Sequence, residues 1–345
     1  MTALIYGAYG YTGELIAQEA VDRGLDVILA GRNGTKTRGL AIQLGVDSRV
    51  FAVGEARSHL DGVDVVLNCA GPFVETAKPM VEACLATGTD YLDITGEIPV
   101  FEALAERDRD AEDAGVCLLP GVGFDVVPTD CLAAHLHDRL PEATHLRLGI
   151  DAPGSVSGGT LATAIGQAGA GGMVRRNGRL QSEPPGSKTR SIDFGRGPTH
   201  AVGAPMGDVS TAYYTTGIEN VEVYLSAPEF AEYLLRASDF VTPLLAVPLV
   251  KPGLQAFVRA LVSGPSPDER ERERVRLWGE VTDGETSVRS RLETPETYAL
   301  TVEAATTAVE RVEAGSDITG YQTPAAAFGP DYVLDLDGVE GFLDE

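Results

Sequence analysis

Lysine is nearly absent from this 345-residue chain. Only Lys36, Lys78, Lys188 and Lys251 occur, so arginine supplies almost all the positive charge. Against 27 lysines and arginines stand 51 aspartates and glutamates, a formal net charge of −24. Such a surface repels nucleic-acid phosphates and excludes nucleic acid as a partner. It also repels itself at low salt, and the expectation is a halophilic protein adapted to a salty cytoplasm, where screening over a few ångströms removes the repulsion. An acidic docking face for a basic partner is the other reading, and the spread of acids along the whole chain speaks against it. Cysteine is scarce too. Cys69, Cys84, Cys117 and Cys131 are scattered, with no C-x-x-C and no histidine at metal spacing. They read as buried, reduced thiols of a cytosolic protein. Among the five histidines, His135 and His137 lie two apart and cannot share a helix face, so no metal site is assigned. Long apolar runs are missing, which argues against a bilayer span. The N-terminus leads directly into a strand without the basic and apolar segments of a signal peptide, and the expected localisation is cytoplasmic.

What is present suffices for a sizeable core: 43% of residues are hydrophobic, and the length suggests about two domains. The first third alternates strand and helix signals. Strands are expected at 4–6, 27–30, 50–53, 63–67, 90–94 and 116–119, with helices between them, including 76–86 and 100–113. This alternation implies right-handed crossovers and a doubly wound parallel sheet. After Pro120 the texture changes. A helix is expected at 128–140, strands at 145–150 and 220–226, a Gly- and Ala-rich stretch at 157–172, and a polar stretch to about 198. Asp283-Gly284 marks a hairpin between 278–282 and 286–292, and 297–312 reads as a long helix. The expected fold class is α/β: an N-terminal Rossmann domain at 1–127 and a second α+β substrate and dimerisation domain at 128–319, with the tail 320–345 returning to the first.

The loop Gly7-Ala8-Tyr9-Gly10-Tyr11-Thr12-Gly13 lies between the first strand and the first helix, the context a dinucleotide fingerprint needs. Gly7 lets the chain turn off the strand, Gly10 lets backbone approach a pyrophosphate, and Gly13 lets the helix pack on the sheet. The pyrophosphate then meets a helix N-terminus, with Tyr9, Tyr11 and the Thr12 hydroxyl beside it. The spacing is G-x-x-G-x-x-G rather than the commoner G-x-G-x-x-G. The second strand ends Ala30-Gly31-Arg32-Asn33, with no carboxylate for a ribose 2′-hydroxyl. Arg32 offers a guanidinium fork suited to a 2′-phosphate, with Asn33 and then Lys36 or Arg38 beside it, which favours NADP over NAD. Ligands sit beyond the carboxyl ends of such strands. The turns Asn68-Cys69-Ala70-Gly71-Pro72, Thr95-Gly96 and Gly121-Val122-Gly123-Phe124-Asp125 therefore extend the expected cofactor site. An ordinary tight turn is the plain alternative for each.

Together the segments GAYGYTG, LAGRN, NCAGPF, YLDITGE and PGVGFDVVPTD resemble the saccharopine dehydrogenase-like family. SGGTLAT (157–163), GDVSTAYYTTGIENVEVY (207–224) and TPAAAFG (323–329) resemble its trans-acting enoyl reductase branch. The resemblance implies a Rossmann domain, a second domain with a mixed sheet, NADP as cofactor, and homodimers. The branch implies reduction of a carbon–carbon double bond in an acyl intermediate.

Hydride transfer requires the nicotinamide held against substrate, water excluded and usually a proton donor. No Ser-Tyr-Lys or His-Asp constellation is legible. Asp125 is one candidate, against a helix-capping role; Tyr213 and Tyr214 are others, against plain packing. The Ser157-Gly158-Gly159-Thr160 run is a candidate anion contact or simply a helix start. The apolar, proline-broken segment 240–262 reads as packed core helices, with an acyl site, a dimer contact or a membrane-surface patch as alternatives. Three functions remain open. The first is an NADPH-dependent reductase of an unsaturated acyl or isoprenoid-like small molecule. The second is saccharopine-type C–N chemistry on amino acids, for which Arg175, Arg176, Arg190 and Arg196 are candidate carboxylate partners. The third is a non-catalytic NADP-binding or membrane-associated protein.

Overall fold

The computed structural model describes residues 1–152, 172–229, 272–315 and 318–345. The chain divides into two compact units, Met1–Val127 with Tyr298–Asp337, and Pro128–Thr297 with Gly338–Glu345.

The first unit is built on a seven-stranded sheet. Its strands are β1 (Ala3–Tyr6), β2 (Val27–Gly31), β3 (Asp47–Val50), β4 (Val65–Asn68), β5 (Asp90–Asp93), β6 (Cys117–Leu119) and β15 (Gly320–Tyr321). Their order is β15-β6-β5-β4-β1-β2-β3, and every pairing is parallel. Strand order reverses between β1 and β4, the switch point at which doubly wound sheets open a crevice for ligands. β1, β2 and β4 are buried along their whole length, as strands covered on both faces must be. The helices are α1 (Tyr11–Asp22), α2 (Gly34–Leu44), α3 (Phe73–Thr87), α4 (Ile98–Ala105) and α5 (Asp108–Ala114).

Two expectations shift here. The third strand lies at Asp47–Val50 rather than 50–53, because a 3-10 helix takes over at Val53–His59. The single helix expected at 100–113 is two, broken around Glu106 and Arg107.

The long helix α8 (Thr297–Glu313), expected within the segment 128–319, belongs almost wholly to the first unit. Arg23, just past α1, explains why. Its guanidinium donates to Thr307 at 3.0 Å, pairs with Glu310 at 3.2 Å and also pairs with Glu303. Tyr11 meets Tyr298 edge to face at 5.0 Å. The tail expected to return whole at 320–345 divides instead: β15 adds to β6 in the first unit, whereas Gly338–Glu345 goes with the second, where β16 (Leu343–Asp344) pairs with a strand of its sheet.

The second unit carries α6 (Val127–Arg139), β7 (His145–Asp151), β8 (Gly172–Arg176), β9 (Arg179–Glu183), β10 (Thr189–Asp193), β11 (Pro198–Gly203), α7 (Asp208–Thr216), β12 (Asn220–Ser226), β13 (Arg274–Thr282) and β14 (Ser287–Pro295). Strand order is β10-β11-β12-β7-β13-β14-β16, with β8 on β12 and β9 on β8. β12 and β7 run parallel and the other pairs antiparallel. Side chains alternate between faces. Leu146, Leu148, Val275, Leu277 and Val281 share one face, and Gly279 on it lies against Leu132 and Leu136 of α6. The other face carries charge. Glu222, Arg147, Glu280 and Arg289 stand side by side across β12, β7, β13 and β14. The polar stretch before 198 thus holds three strands with most of their residues exposed or half-buried, β8, β9 and β10. The segments 157–163 and 240–262 lie outside the described residues.

Candidate functional site

Gly7 takes φ +82°, and a Cβ there would lie 2.9 Å from Ala70. The β1–α1 turn and the β4–α3 turn therefore touch, at the switch point. A Cβ on Gly13 would sit 2.5 Å from the Gly7 carbonyl oxygen, so α1 can pack this close only with glycine. Gly10 is the N-cap of α1 and supplies no side chain to cover the first-turn amides at Tyr11, Thr12 and Gly13. That combination is a cradle that a pyrophosphate fits, with free approach and the positive end of a helix.

At the end of β2, Tyr9 lies across Gly31, where a Cβ would come within 2.6 Å of its ring. Lys36 holds its ammonium 5.8 Å from the Tyr9 ring centroid. Arg38 folds its guanidinium over Gly34, 2.6 Å from where a Cβ would stand. Arg32 is exposed, and its charge reaches the Tyr6 hydroxyl. Asn33 caps α2, accepting from the Lys36 amide at 3.1 Å, and α2 has no acid in its first turn. Three cations and a helix N-terminus surround this turn, the donor set for a 2′-phosphate.

The turns after β4, β5 and β6 are joined by a buried polar network that reading the sequence did not single out. Asn68 accepts from the Ala70 amide at 3.1 Å and donates to Thr76 at 3.2 Å and Tyr91 at 3.3 Å. The Tyr91 hydroxyl donates to Asp93 at 2.7 Å. Asp93 accepts the amides of Thr95 and Gly121, both at 3.0 Å. Thr95 accepts from the Glu97 amide at 3.1 Å, and the Glu97 carboxylate accepts the amides of Phe73 and Val74, both at 3.0 Å. Glu97 thus occupies the N-terminus of α3 and leaves α1 as the helix for phosphate. Burial, seconded by the Asp93 charge, pushes the Cys69 thiol up, so it stays protonated. The signal for Asp93 was an acid ending an apolar strand in YLDITGE.

Asp125 is exposed as a residue, but its carboxyl end is tucked against Gly96, and burial there raises its pKa to about 6. Phe124 is buried, its amide donating to Thr301 at 3.0 Å. Gly71 is exposed and Pro72 half-buried at the start of α3. The structure thus groups Gly7, Ala70, Asn68, Thr95, Gly96, Gly121 and Asp125 at the carboxyl ends of one sheet. Tyr213 and Tyr214 belong to the second unit, on α7. Arg175 lies over the Tyr213 ring at 4.3 Å and near Tyr214 at 5.7 Å, while donating to the carbonyls of Val209 and Gly178.

Comparison with known proteins agrees with the cofactor. Residues 3–119 match the family profile described as the saccharopine dehydrogenase NADP binding domain. A trans-acting enoyl reductase of Mycobacterium tuberculosis (strain ATCC 25618 / H37Rv) is 31% identical over 178 residues, 46% of this chain and 43% of that protein. One from Mycobacterium ulcerans (strain Agy99) is 30% identical over 178 residues, with the same coverage. The matched stretch is thus less than half the length of those relatives. Apo saccharopine dehydrogenase (L-Glu forming) from Saccharomyces cerevisiae superposes with a TM-score of 0.66 at 13% identity, over 100% of this chain and 99% of that one. At that identity the likeness shows the fold. Residues 3–119 thus match a saccharopine dehydrogenase NADP binding domain, and the chain shares the fold of saccharopine dehydrogenase.

Proposed function

We propose that the protein is an NADPH-dependent reductase that delivers hydride to a carbon–carbon double bond of an unsaturated acyl or isoprenoid-like substrate. Bound NADPH supplies the hydride. The loop of Gly7, Gly10 and Gly13 holds its pyrophosphate, and Arg32 with Lys36 and Arg38 holds the 2′-phosphate. Asp125 is the proposed proton donor. A carboxyl with a pKa of about 6 is partly protonated near neutral pH, the range in which general acids work best.

The observation that carries the choice of substrate is the fate of the arginines. Amino-acid C–N chemistry on a substrate with several carboxylates needs uncommitted cations. Of the four candidates, Arg176 is paired with Glu222 and Arg190 with Glu280 at 2.7 Å, while Arg196 alone is exposed in the turn between β10 and β11. Arg175 is buried between tyrosine rings and backbone carbonyls. The relatives' name, trans-acting enoyl reductase, supports the same choice. We further propose a homodimer, to be checked by light scattering.

The test is NADPH oxidation with an α,β-unsaturated acyl thioester, and separately with a 2-oxo acid plus an amine. Turnover of the thioester, lost in Asp125→Asn with NADPH affinity kept, is the expected result. Turnover of only the second pair overturns the substrate. Tight NADPH binding without turnover of either overturns the enzymatic reading.

A further inference from the structure

The two halves of a Rossmann sheet each take one mononucleotide. Here β1–β3, with Arg32, Lys36 and Arg38, serves the 2′-phosphorylated adenylate, and β4–β6 serves the nicotinamide side. We propose that Asp93 is a positioning residue for the nicotinamide half: its carboxylate clamps the turns after β5 and β6, and protonating it loosens them. This rests on NADP binding and not on the choice of substrate.

The geometry is written for an anion. Asp93 is fully buried at the last position of β5. One carboxylate oxygen, Oδ1, accepts the amides of Thr95 and Gly121, which belong to different turns. The other, Oδ2, accepts the Tyr91 hydroxyl. The Asp93 carbonyl takes the Val122 amide at 2.8 Å. An ionised carboxylate only accepts, so it suits three donors aimed at it. A protonated carboxyl has to place its hydrogen somewhere. On Oδ1 the hydrogen displaces at least one amide. On Oδ2 it faces Tyr91, which is already donating there and already receives Asn68. Either way a buried donor loses its partner, which is expensive in a site without solvent.

The surroundings make this transition accessible. Burial raises the Asp93 carboxyl to about 6, against the opposing hydrogen bonds from Thr95, Tyr91 and Gly121. The titratable groups facing it are Tyr91 on its own strand, Glu97 from the turn leading into α4, and Cys69 from the turn after β4. Glu97 adds like-charge repulsion, while Tyr91 and Cys69 are held neutral by burial. The clamp also reaches further. Thr95 carries Glu97, and Glu97 caps α3 at Phe73 and Val74, directly after the turn 69–72.

The test compares the affinities of NADP⁺ and 2′-phospho-ADP-ribose, which lacks only the nicotinamide, between about pH 5 and 8 by calorimetry. Each ligand carries one 2′-phosphate monoester that titrates near about pH 6 and a pyrophosphate that does not, so the ratio of the two dissociation constants cancels that contribution. The expected result is a ratio that shifts on the order of tenfold against NADP⁺ as Asp93 protonates, because a one-unit coupling is tenfold in affinity. In Asp93→Asn the ratio is flat with pH. In Tyr91→Phe, which removes the donor favouring the anion, its midpoint moves upward. A purely structural role lowers the melting temperature of both variants and weakens both ligands together, leaving the pH profile of the ratio unchanged. A flat ratio in the natural protein, or a slope that survives in Asp93→Asn, overturns the proposal. Should Asp93→Asn fail to fold, an unmoved midpoint in Tyr91→Phe overturns it.

Discussion

Arg32 can be tested alone because NADPH and NADH differ at one phosphate. Replacing Arg32 by Ala removes a charge-assisted contact, about 1.5–3 kcal/mol, so NADPH should bind roughly ten- to a hundredfold more weakly. NADH should be spared. Fluorescence titration of both cofactors decides it, and equal losses remove Arg32 from the 2′-phosphate site. Lys36 and Arg38 remain, so Arg32→Ala with Arg38→Ala should lose more than either alone. Glu222 offers a second test at this scale. Its burial opposes ionisation, but hydrogen bonds from Lys188, Arg176 and Tyr224 outweigh that and hold its pKa at about 2. A carboxylate depressed below its unfolded value stabilises the fold above the unfolded pKa. That stability is lost as pH falls through the ordinary carboxylate range towards 2. Glu222→Gln leaves Lys188 and Arg176 only the longer pairs with Glu183, at 3.3 and 4.0 Å, and takes one of two partners from Arg147, and it should destabilise the protein at neutral pH by about 3 kcal/mol. Urea unfolding at neutral pH and in acid is the measurement. The gap between natural protein and variant should narrow in acid, and a gap that ignores pH contradicts the assignment.

The same glycines that made the cofactor loop legible also fix how α1 sits on β1, and the two roles separate by substitution. A Cβ at position 13 meets backbone, 2.5 Å from the Gly7 carbonyl oxygen and 3.1 Å from Ala8 Cα, which cannot give way without moving the turn. Gly13→Ala should therefore lower stability by about 1–3 kcal/mol, as overpacking does, and abolish NADPH binding. At position 10 a Cβ would stand 3.2 Å from the same oxygen and project where the pyrophosphate approaches. Gly10→Ala should lose binding with a smaller stability change. Thermal melts with and without NADPH distinguish the two, and matching melts of the apo variants refute the division of roles. Elements with a full apolar pattern, such as β1, β2 and α8, were readable from periodicity. β3 was misplaced because Asp47-Ser48-Arg49 is polar edge strand, and β8 to β10 were unreadable because their residues face solvent or each other's charges. The turns beyond β4, β5 and β6 were legible as glycine-rich breaks. The Asn68–Tyr91–Asp93–Glu97 network that holds them was not, since no spacing rule links residues brought together by neighbouring strands.

At the scale of the whole molecule the least legible feature was which distant pieces share a unit. Helix α8 joins the first unit through Arg23 and Tyr11, contacts between residues nearly 300 positions apart that leave no local mark. The most legible was charge. With 51 acids against 27 bases, exposed acids must repel one another at low salt. α5 shows it locally: Glu112 and Asp113 are exposed beside Asp110, and Asp110 and Asp113 are spaced as neighbours on one helix face. Two kinds of electrostatics should respond differently to salt. Exposed repulsion is screened beyond about 3 Å at ~1 M salt, whereas buried pairs are screened far less. The carboxylates of the Glu222–Arg147–Glu280–Arg289 ladder are of the second kind, Glu280 being 4% and Glu222 12% exposed at the side chain, whereas Arg147 is 25% and Arg289 50% exposed. We therefore expect the melting temperature to rise with KCl from about 0.1 M to about 2 M. Glu112→Gln with Asp113→Asn should flatten that rise. The destabilisation by Glu222→Gln should fall less steeply than the surface repulsion across the same range, since Glu222 is 12% exposed and its partners are half-buried. A melting temperature independent of KCl would sink the idea that this composition is tuned to high salt. A Glu222→Gln penalty that vanishes with KCl would show the ladder to be as exposed to screening as the surface acids.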